Sequence, residues 1–194
     1  MGSGIIKKIS TSFNTRTYGY THNAPHRELW KEISDEFNGE FKIGNVAAND
    51  IEIHRITIPH GDNFIKISIS DTRPLVFEIQ FSKDYMIDLT ITRDDLVEKI
   101  LRIFGGQKMK SGLKEFDNKY ILRTDSREVL PKIFSQNDIR TITRINIYSL
   151  AIHSENKQKK TELSTVVGRV IRDKETIKEL ILMHKSFIDK ILKA

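Results

Sequence analysis

Residues 65–91 read IKISISDTRPLVFEIQFSKDYMIDLTI, and this stretch decides the fold. Ile65, Ile67 and Ile69 alternate with polar residues, which is the period of a strand that buries one face. The same alternation returns after Pro74 and again at the end of the stretch, with turn residues between the runs. Such short connections favour an antiparallel meander with one covered face.

The segment before this stretch predicts a helix. Pro25 suits a first helical turn, and Trp30 and Ile33 belong to an apolar series at helical spacing. Asn38-Gly39 ends the series, and we expect Gly39 to take the left-handed capping conformation. Two strands follow, around residues 41–43 and 51–58.

The isoleucines of the second of these strands change phase. Ile51 and Ile53 alternate in one phase, whereas Ile56 and Ile58 alternate in the other. An extra residue in one strand of an antiparallel pair produces this shift. We therefore expect a β-bulge near His54-Arg55.

The remaining sequence predicts a second set of helices and strands. A helix over residues 95–104 begins at Thr92 and Asp95, which together form a capping box, and a basic loop follows at 107–114. The elements predicted after it are a strand at 120–123, helices at 126–134 and 137–143, strands at 145–152 and 163–171, and a last helix capped by Asp173. Pro131 is expected to break or shorten the helix that contains it.

The expected fold is α+β, with a mostly antiparallel sheet, helices packed on one face and a long C-terminal helix. Residues 1–24 are predicted to form a flexible arm, and residues 25–194 a single domain. Residues 27–33 and 127–133 share a short likeness. The likeness allows an internal duplication with halves that meet near residues 105–114.

The composition excludes several classes of function. The chain has no cysteine, so a disulfide framework, a zinc–thiolate site and a cysteine nucleophile are excluded. No run of about 18 apolar residues occurs, so no membrane span is expected, and a cytoplasmic location fits the cysteine-free chain. The net charge of +6 is uneven, because residues 32–104 carry −6 and residues 105–194 carry +8.

The sequence shows no phosphate-binding glycine loop, no zincin motif and no nucleophile elbow. His22 and His26 have the spacing of metal ligands, but Pro25 places the start of the helix between them, so solvated histidines are the favoured interpretation. Glu40-Phe41-Lys42, with Asp35 or Asp50, matches a short part of the pattern in metal-dependent nucleases. His184 lies on the apolar stripe of the last helix, as a structural histidine does. We predict no catalytic residue, no cofactor and no metal ligand.

Basic residues are the remaining candidates for a site. Arg140 and Arg144 are four apart on a predicted helix, and lysines cluster in the loop at 107–114 and at a predicted hairpin tip. The candidate nucleic-acid-binding residues are Lys108, Lys110, Lys114, Arg140, Arg144, Lys157, Lys159 and Lys160. The alternative is that these charges provide solubility and protect strand edges.

Two stretches carry a resemblance to known sequences. Trp30 followed by FNGEFKIG at 37–44 resembles the opening of a family of bacterial α+β proteins without an assigned activity. FDNKYIL at 116–122, with Ile133-Phe134, resembles the second half of the same family. The resemblance implies an α+β domain and transfers no site residue.

These observations lead to three hypotheses about function. The first is a non-catalytic binding or scaffold module that acts through protein–protein contacts, with a protein partner or a second copy of the chain. The second is a nucleic-acid-binding protein that uses residues 105–194. The third is an enzyme without a recognisable motif.

Overall fold

The computed structural model describes residues 24–46, 51–70, 73–94, 107–125, 128–155, 160–168 and 171–193. The helices are α1 (Ala24–Glu36), α2 (Lys114–Asp117), α3 (Val129–Ile133), α4 (Gln136–Ile145) and α5 (Lys174–Ile191). The strands are β1 (Glu40–Val46), β2 (Ile51–His60), β3 (Asn63–Ser70), β4 (Arg73–Phe81), β5 (Leu89–Arg93), β6 (Gln107–Met109), β7 (Tyr120–Thr124), β8 (Ser149–Glu155) and β9 (Lys160–Val167).

The described strands form one nine-stranded sheet in the order β1-β2-β3-β4-β9-β8-β5-β7-β6. Every neighbouring pair is antiparallel. This architecture confirms the predicted α+β fold with a mostly antiparallel sheet and a long C-terminal helix.

The predicted meander holds for β1 to β4 and then stops. The β8–β9 hairpin lies between β4 and β5, and Val76 of β4 pairs with Val166 of β9. The loop that leaves β4 crosses the end of this hairpin. The amide of Tyr85 donates to the Thr161 hydroxyl at 2.9 Å, and the amide of Ile87 donates to the Ser154 hydroxyl at 2.9 Å. These hydrogen bonds hold the chain as it passes β9 and β8 and enters β5.

The core lies between the sheet and the helices. Ile65, Ile67 and Phe77 of the central strands are at most 1% exposed, and Trp30 of α1 is fully buried. Burial of side chains of this size stabilises the fold by roughly 1.5–3 kcal/mol each. The alternation read from the sequence of β3 therefore identified the covered face correctly.

Helix α5 lies between the other helices. On one side, Lys178 forms an ion pair with Glu36 of α1 at 2.6 Å. On the other side, Lys190 reaches Asp138 at 2.6 Å, where Asp138 forms the capping box of α4 with Ser135. The apolar stripe predicted for this helix, which includes His184, is buried throughout: Ile177, Leu180, Ile181, His184, Ile188 and Ile191.

Several local predictions are wrong. No β-bulge interrupts β2 near His54, because its pairing with β1 and β3 keeps one register throughout. The register shift lies instead between Ser68 and Ser70 of β3. Residue 145 ends a helix rather than beginning a strand. The helix that contains Pro131 is short, Val129–Ile133, as expected, and its first turn tolerates the proline because the missing N–H has no helical acceptor there.

The end of α1 also differs from the prediction. Asn38, with φ of 53°, takes the left-handed conformation that we assigned to Gly39. Gly39 is required for another reason, since a Cβ atom there would lie 2.8 Å from the Thr57 carbonyl oxygen and 3.2 Å from Ile58. The glycine thus allows the chain to pass close to β2.

Two predictions concern residues outside those described. The helix predicted at 95–104 lies there, as does the predicted arm except for Ala24. The predicted duplication stays a prediction. Residues of the second half flank β5 of the first half in the sheet, because β5 lies between β8 and β7.

We expect Gly39→Ala to destabilise the protein by about 1–3 kcal/mol, since the added methyl group must displace backbone atoms of β2. Urea denaturation measures the loss. Asn38→Gly is the matched control and should change the free energy of unfolding by less than about 1 kcal/mol, because glycine accepts the left-handed conformation. Equal losses in the two variants would contradict the close-approach explanation.

Candidate binding face of the sheet

The second face of the sheet, opposite the core, has a buried end and an open end. At one end Val76, Val166 and Ile121 are at most 6% exposed. At the other end the side chains of β3, β4, β9 and β8 reach solvent. Their membership of one face follows from the alternation along each strand and from the register between strands.

The open end carries a mixed group of side chains, which we call the open patch: Phe64, Lys66, Glu78, Gln80, His153 and Glu162. Lys66 pairs in register with Glu78, Gln80 with Glu162, and Glu162 with His153. Continuing the β3–β4 register places Phe64 beside Gln80. The patch therefore crosses four neighbouring strands.

Phe64 is the aromatic member of the patch. Its side chain is 51% exposed, although it belongs to a strand whose other large apolar residues are buried. Aromatic side chains that stay in water at a strand face are a common feature of protein interfaces.

The acidic members of the patch lie close to each other. Burial raises the pKa of Glu78 above its ordinary value, the nearby Glu162 carboxylate raises it further, and Lys66 opposes the rise in part. Gln80 donates from its side-chain amide to Glu162 at 3.3 Å. The patch therefore holds two carboxyl groups whose like charges repel when both are ionised.

His153 adds a titratable pair at the border of the patch. Its Nδ1 atom contacts the carboxylate of Asp88, and both side chains are about two-fifths exposed, at 40% and 38%. The pair lies on an open strand face in contact with water.

A second histidine–carboxylate pair lies at the α1 side of the sheet. His54 Nε2 is 2.6 Å from Glu52, and Arg27 of α1 donates to the same carboxylate from Nε at 2.6 Å. Hydrogen bonding from Arg27 lowers the pKa of Glu52, and burial opposes this in part. The three residues attach the first turn of α1 to β2.

His184 is fully buried, more deeply than the sequence predicted. Its Nδ1–H donates to the Leu180 carbonyl at 2.6 Å, and Nε2 accepts from the Thr165 hydroxyl at 2.9 Å. The ring stacks on Phe77 at a centroid distance of 4.3 Å. Burial lowers its pKa to about 4, so the neutral ring is the form that packs in the core.

The predicted nucleic-acid-binding residues lie in separate places. Lys110 and Lys114 are exposed near one end of the sheet, whereas Lys160 begins β9 at the opposite end. Arg140 is exposed on α4, and Arg144 of the same helix is paired with Glu179 of α5. Lys157 and Lys159 lie outside the described residues, as does the side chain of Lys108.

The residues considered as metal ligands do not come together in the part of the chain that the structure describes. Over the described ranges, no group of three or more histidine, aspartate or glutamate residues has the geometry to hold a metal ion. Lys42 of the nuclease-like triplet is paired with Glu40 at 2.7 Å. Asp35 is exposed on α1, and His22 and Asp50 lie outside the described residues.

Comparisons with known proteins identify a fold and no family. No family model and no curated protein matches the chain. The mycobacterial trehalose monomycolate transport factor A, TtfA, is a structural neighbour with a TM-score of 0.51 and 6% sequence identity. The alignment covers 88% of this chain and 96% of that one. At this identity the likeness shows the fold alone.

The helices were also compared with the length and polarity of membrane spans. Of those that the structure describes, none is long and apolar enough to cross a bilayer.

The open patch was not predicted from the sequence. Lys66, Glu78 and Gln80 were assigned correctly to the polar face of their strands, but Glu162 and His153 come from strands that the sequence did not place beside β4. Phe64 was the signal that the sequence offered for this patch. It directly precedes the alternating run of β3, and it falls in the polar phase of that run rather than in the phase of the isoleucines.

We expect acid to weaken the fold through His184. Because its pKa is about 4 in the folded protein and about 6.5 in the unfolded chain, the unfolded chain binds the proton first as the pH falls. Stability is full above pH 6.5 and falls by about 2 kcal/mol by about pH 4.5. Urea denaturation of the protein and of the His184→Gln variant, at pH 6.5 and at pH 4.5, measures how much of this loss of stability is due to His184.

The variant should be less stable at neutral pH and should lose less stability in acid. An equal acid dependence in both proteins would show that His184 does not titrate in this window.

Proposed function

We propose that this chain is a non-catalytic protein-binding module and that the open patch is its docking surface for a basic segment of a partner. The observation that supports this most strongly is the exposed Phe64 on the same face of the sheet as the Glu78 and Glu162 carboxyl groups. An exposed aromatic side chain beside charged side chains is the composition expected of an interface core and its polar rim.

The charge of the patch defines the partner. A lysine or arginine side chain placed between Glu78 and Glu162 would relieve the repulsion that raises the pKa of Glu78. An apolar side chain two positions along an extended partner segment would lie over Phe64, because alternate residues of a strand share a face. The preferred partner segment therefore has a basic residue and an apolar residue two positions apart.

The open patch carries acidic residues, whereas the chain as a whole is basic. The protein carries a net charge of +6, yet Glu78 and Asp88 belong to the part, residues 32–104, that carries −6. Glu162 joins them from β9. A basic partner is attracted to this end of the sheet and repelled by much of the remaining surface, which favours one docking position.

The nucleic-acid hypothesis stays a prediction. Binding to DNA or RNA requires basic side chains that contact successive phosphates. The candidate residues described above are distributed over two ends of the sheet and one helix.

The proposal can be tested with a random peptide library displayed on phage and selected on the immobilised protein. We expect the enriched peptides to contain a basic residue and an apolar residue two positions apart. Their dissociation constants, measured by calorimetry, should rise at least about tenfold with Phe64→Ser and with Glu162→Lys. Leu182→Ser, which changes a 56% exposed leucine on α5, is the matched control and should leave them unchanged.

The same protein should then be titrated with labelled single- and double-stranded DNA and RNA at low and near-physiological salt. Enrichment of acidic peptides, or peptide affinities that ignore both patch variants, would refute the docking surface. Tight, salt-sensitive binding of nucleic acid without peptide selection would favour the nucleic-acid hypothesis.

A further inference from the structure

The segment before α1 has the chemistry that the open patch requires of a partner. Residues 1–23 precede the described fold and carry three basic residues and no acidic residue. Ile5 and Ile9 lie two positions before and two positions after Lys7. A basic residue and an apolar residue therefore share one face of the extended segment in either chain direction.

The carboxyl groups of the open patch lack a close basic partner. Among the side chains that the structure describes, no lysine or arginine forms an ion pair with Glu78 or Glu162. Lys66 acts on Glu78 through its charge alone, and Gln80 donates to Glu162 from a neutral amide. A lysine from outside the described fold would complement both carboxylates.

The distance that the segment must cover selects Lys7. Arg27 holds the start of α1 against Glu52 of β2. From Glu52 the route around the β1 border to the open patch is roughly 45 Å long, from the rise along the strands, the spacing between them and the depth of the helix layer. The 17 residues from Lys7 to Ala24 span up to about 56 Å, whereas the eight residues from Arg16 to Ala24 span less than about 30 Å. Lys7 can therefore reach the open patch of its own chain, and Arg16 cannot.

We propose that residues 5–9 bind the open patch of their own chain and cover it until a partner displaces them. Lys7 lies between Glu78 and Glu162, and one of the two flanking isoleucines lies over Phe64. The inference rests on the proposed docking surface, since it places a segment of this chain where the basic partner would bind. Because the segment is tethered, its high effective concentration compensates for weak contacts.

The contact can be measured in the full chain by paramagnetic relaxation in nuclear magnetic resonance spectra. Ser10→Cys provides a unique attachment point for a nitroxide, because the chain has no cysteine. We expect the nitroxide to broaden the backbone amide signals of Phe64, Gln80 and Glu162 and to leave the signals of α4 sharp.

Charge reversal supplies the matched control. Lys7→Glu with Lys8→Glu should abolish the broadening, because repulsion replaces attraction; Lys8 is included since a slip by one residue would bring it and Ile6 to the patch. Lys31→Glu with Lys132→Glu changes the net charge equally at exposed positions of the helices and should leave the broadening unchanged. An isotope-enriched chain without nitroxide, mixed with the nitroxide-bearing chain, should stay sharp. Sharp patch signals in the nitroxide-bearing chain, broadening that survives the reversal, or broadening in the mixture would overturn the proposal.

Peptide affinity separates this inference from the docking surface itself. Peptides selected from the library should bind the Lys7→Glu, Lys8→Glu variant at least about threefold more tightly than the unchanged chain, because the patch is then open in every molecule. Equal affinities, together with loss of binding in Phe64→Ser, would overturn the inference and leave the docking surface in place. Peptides that ignore Phe64→Ser in both backgrounds would overturn the docking surface and this inference with it.

Discussion

The structure depends on the placement of α5 across the middle of the sheet. This helix contacts strands from both halves of the chain and is joined to α1 by Lys178 and to α4 by Lys190. His184 occupies its centre and must be neutral to pack there, because a charged ring in an apolar core has a high desolvation cost. His184 also links β4 to β9, because it stacks on Phe77 and accepts from the hydroxyl of Thr165, and these two residues pair in register.

Local sequence patterns predicted the individual helices and strands better than they predicted which strands lie next to each other. The alternation in β3 and the stripe of α5 identified buried faces correctly, because period and burial are both properties of a single segment. Insertion of β8 and β9 beside β4 could not be read in this way, since it depends on hydrogen bonds between residues as distant as Tyr85 and Thr161. The bulge predicted near His54 failed for a related reason. Ile53 is buried on the second face by its surroundings, so the change of phase records two buried faces.

The candidate surfaces illustrate the same limit. The net charge of each segment did not identify the open patch, because Glu78 comes from the acidic segment and Glu162 from the basic one. The two residues lie on a strand pair that the sequence did not predict. The basic residues were clustered by sequence position, whereas the sheet separates them and α5 supplies Glu179 to one of them.

The position of β9 has a consequence for how the chain is made. During synthesis β1 to β4 leave the ribosome before β9, and they can pair with one another as they appear. The free border of β4 must then wait for Val166 and its neighbours, which lie far along the chain from β4. Until that time the nascent sheet has an uncovered strand edge and an uncovered apolar face, since α5 follows β9 in the chain. Pairing between segments so far apart is slow, and the protein's yield in the cell should therefore depend on elongation speed and on chaperones that shield nascent strands.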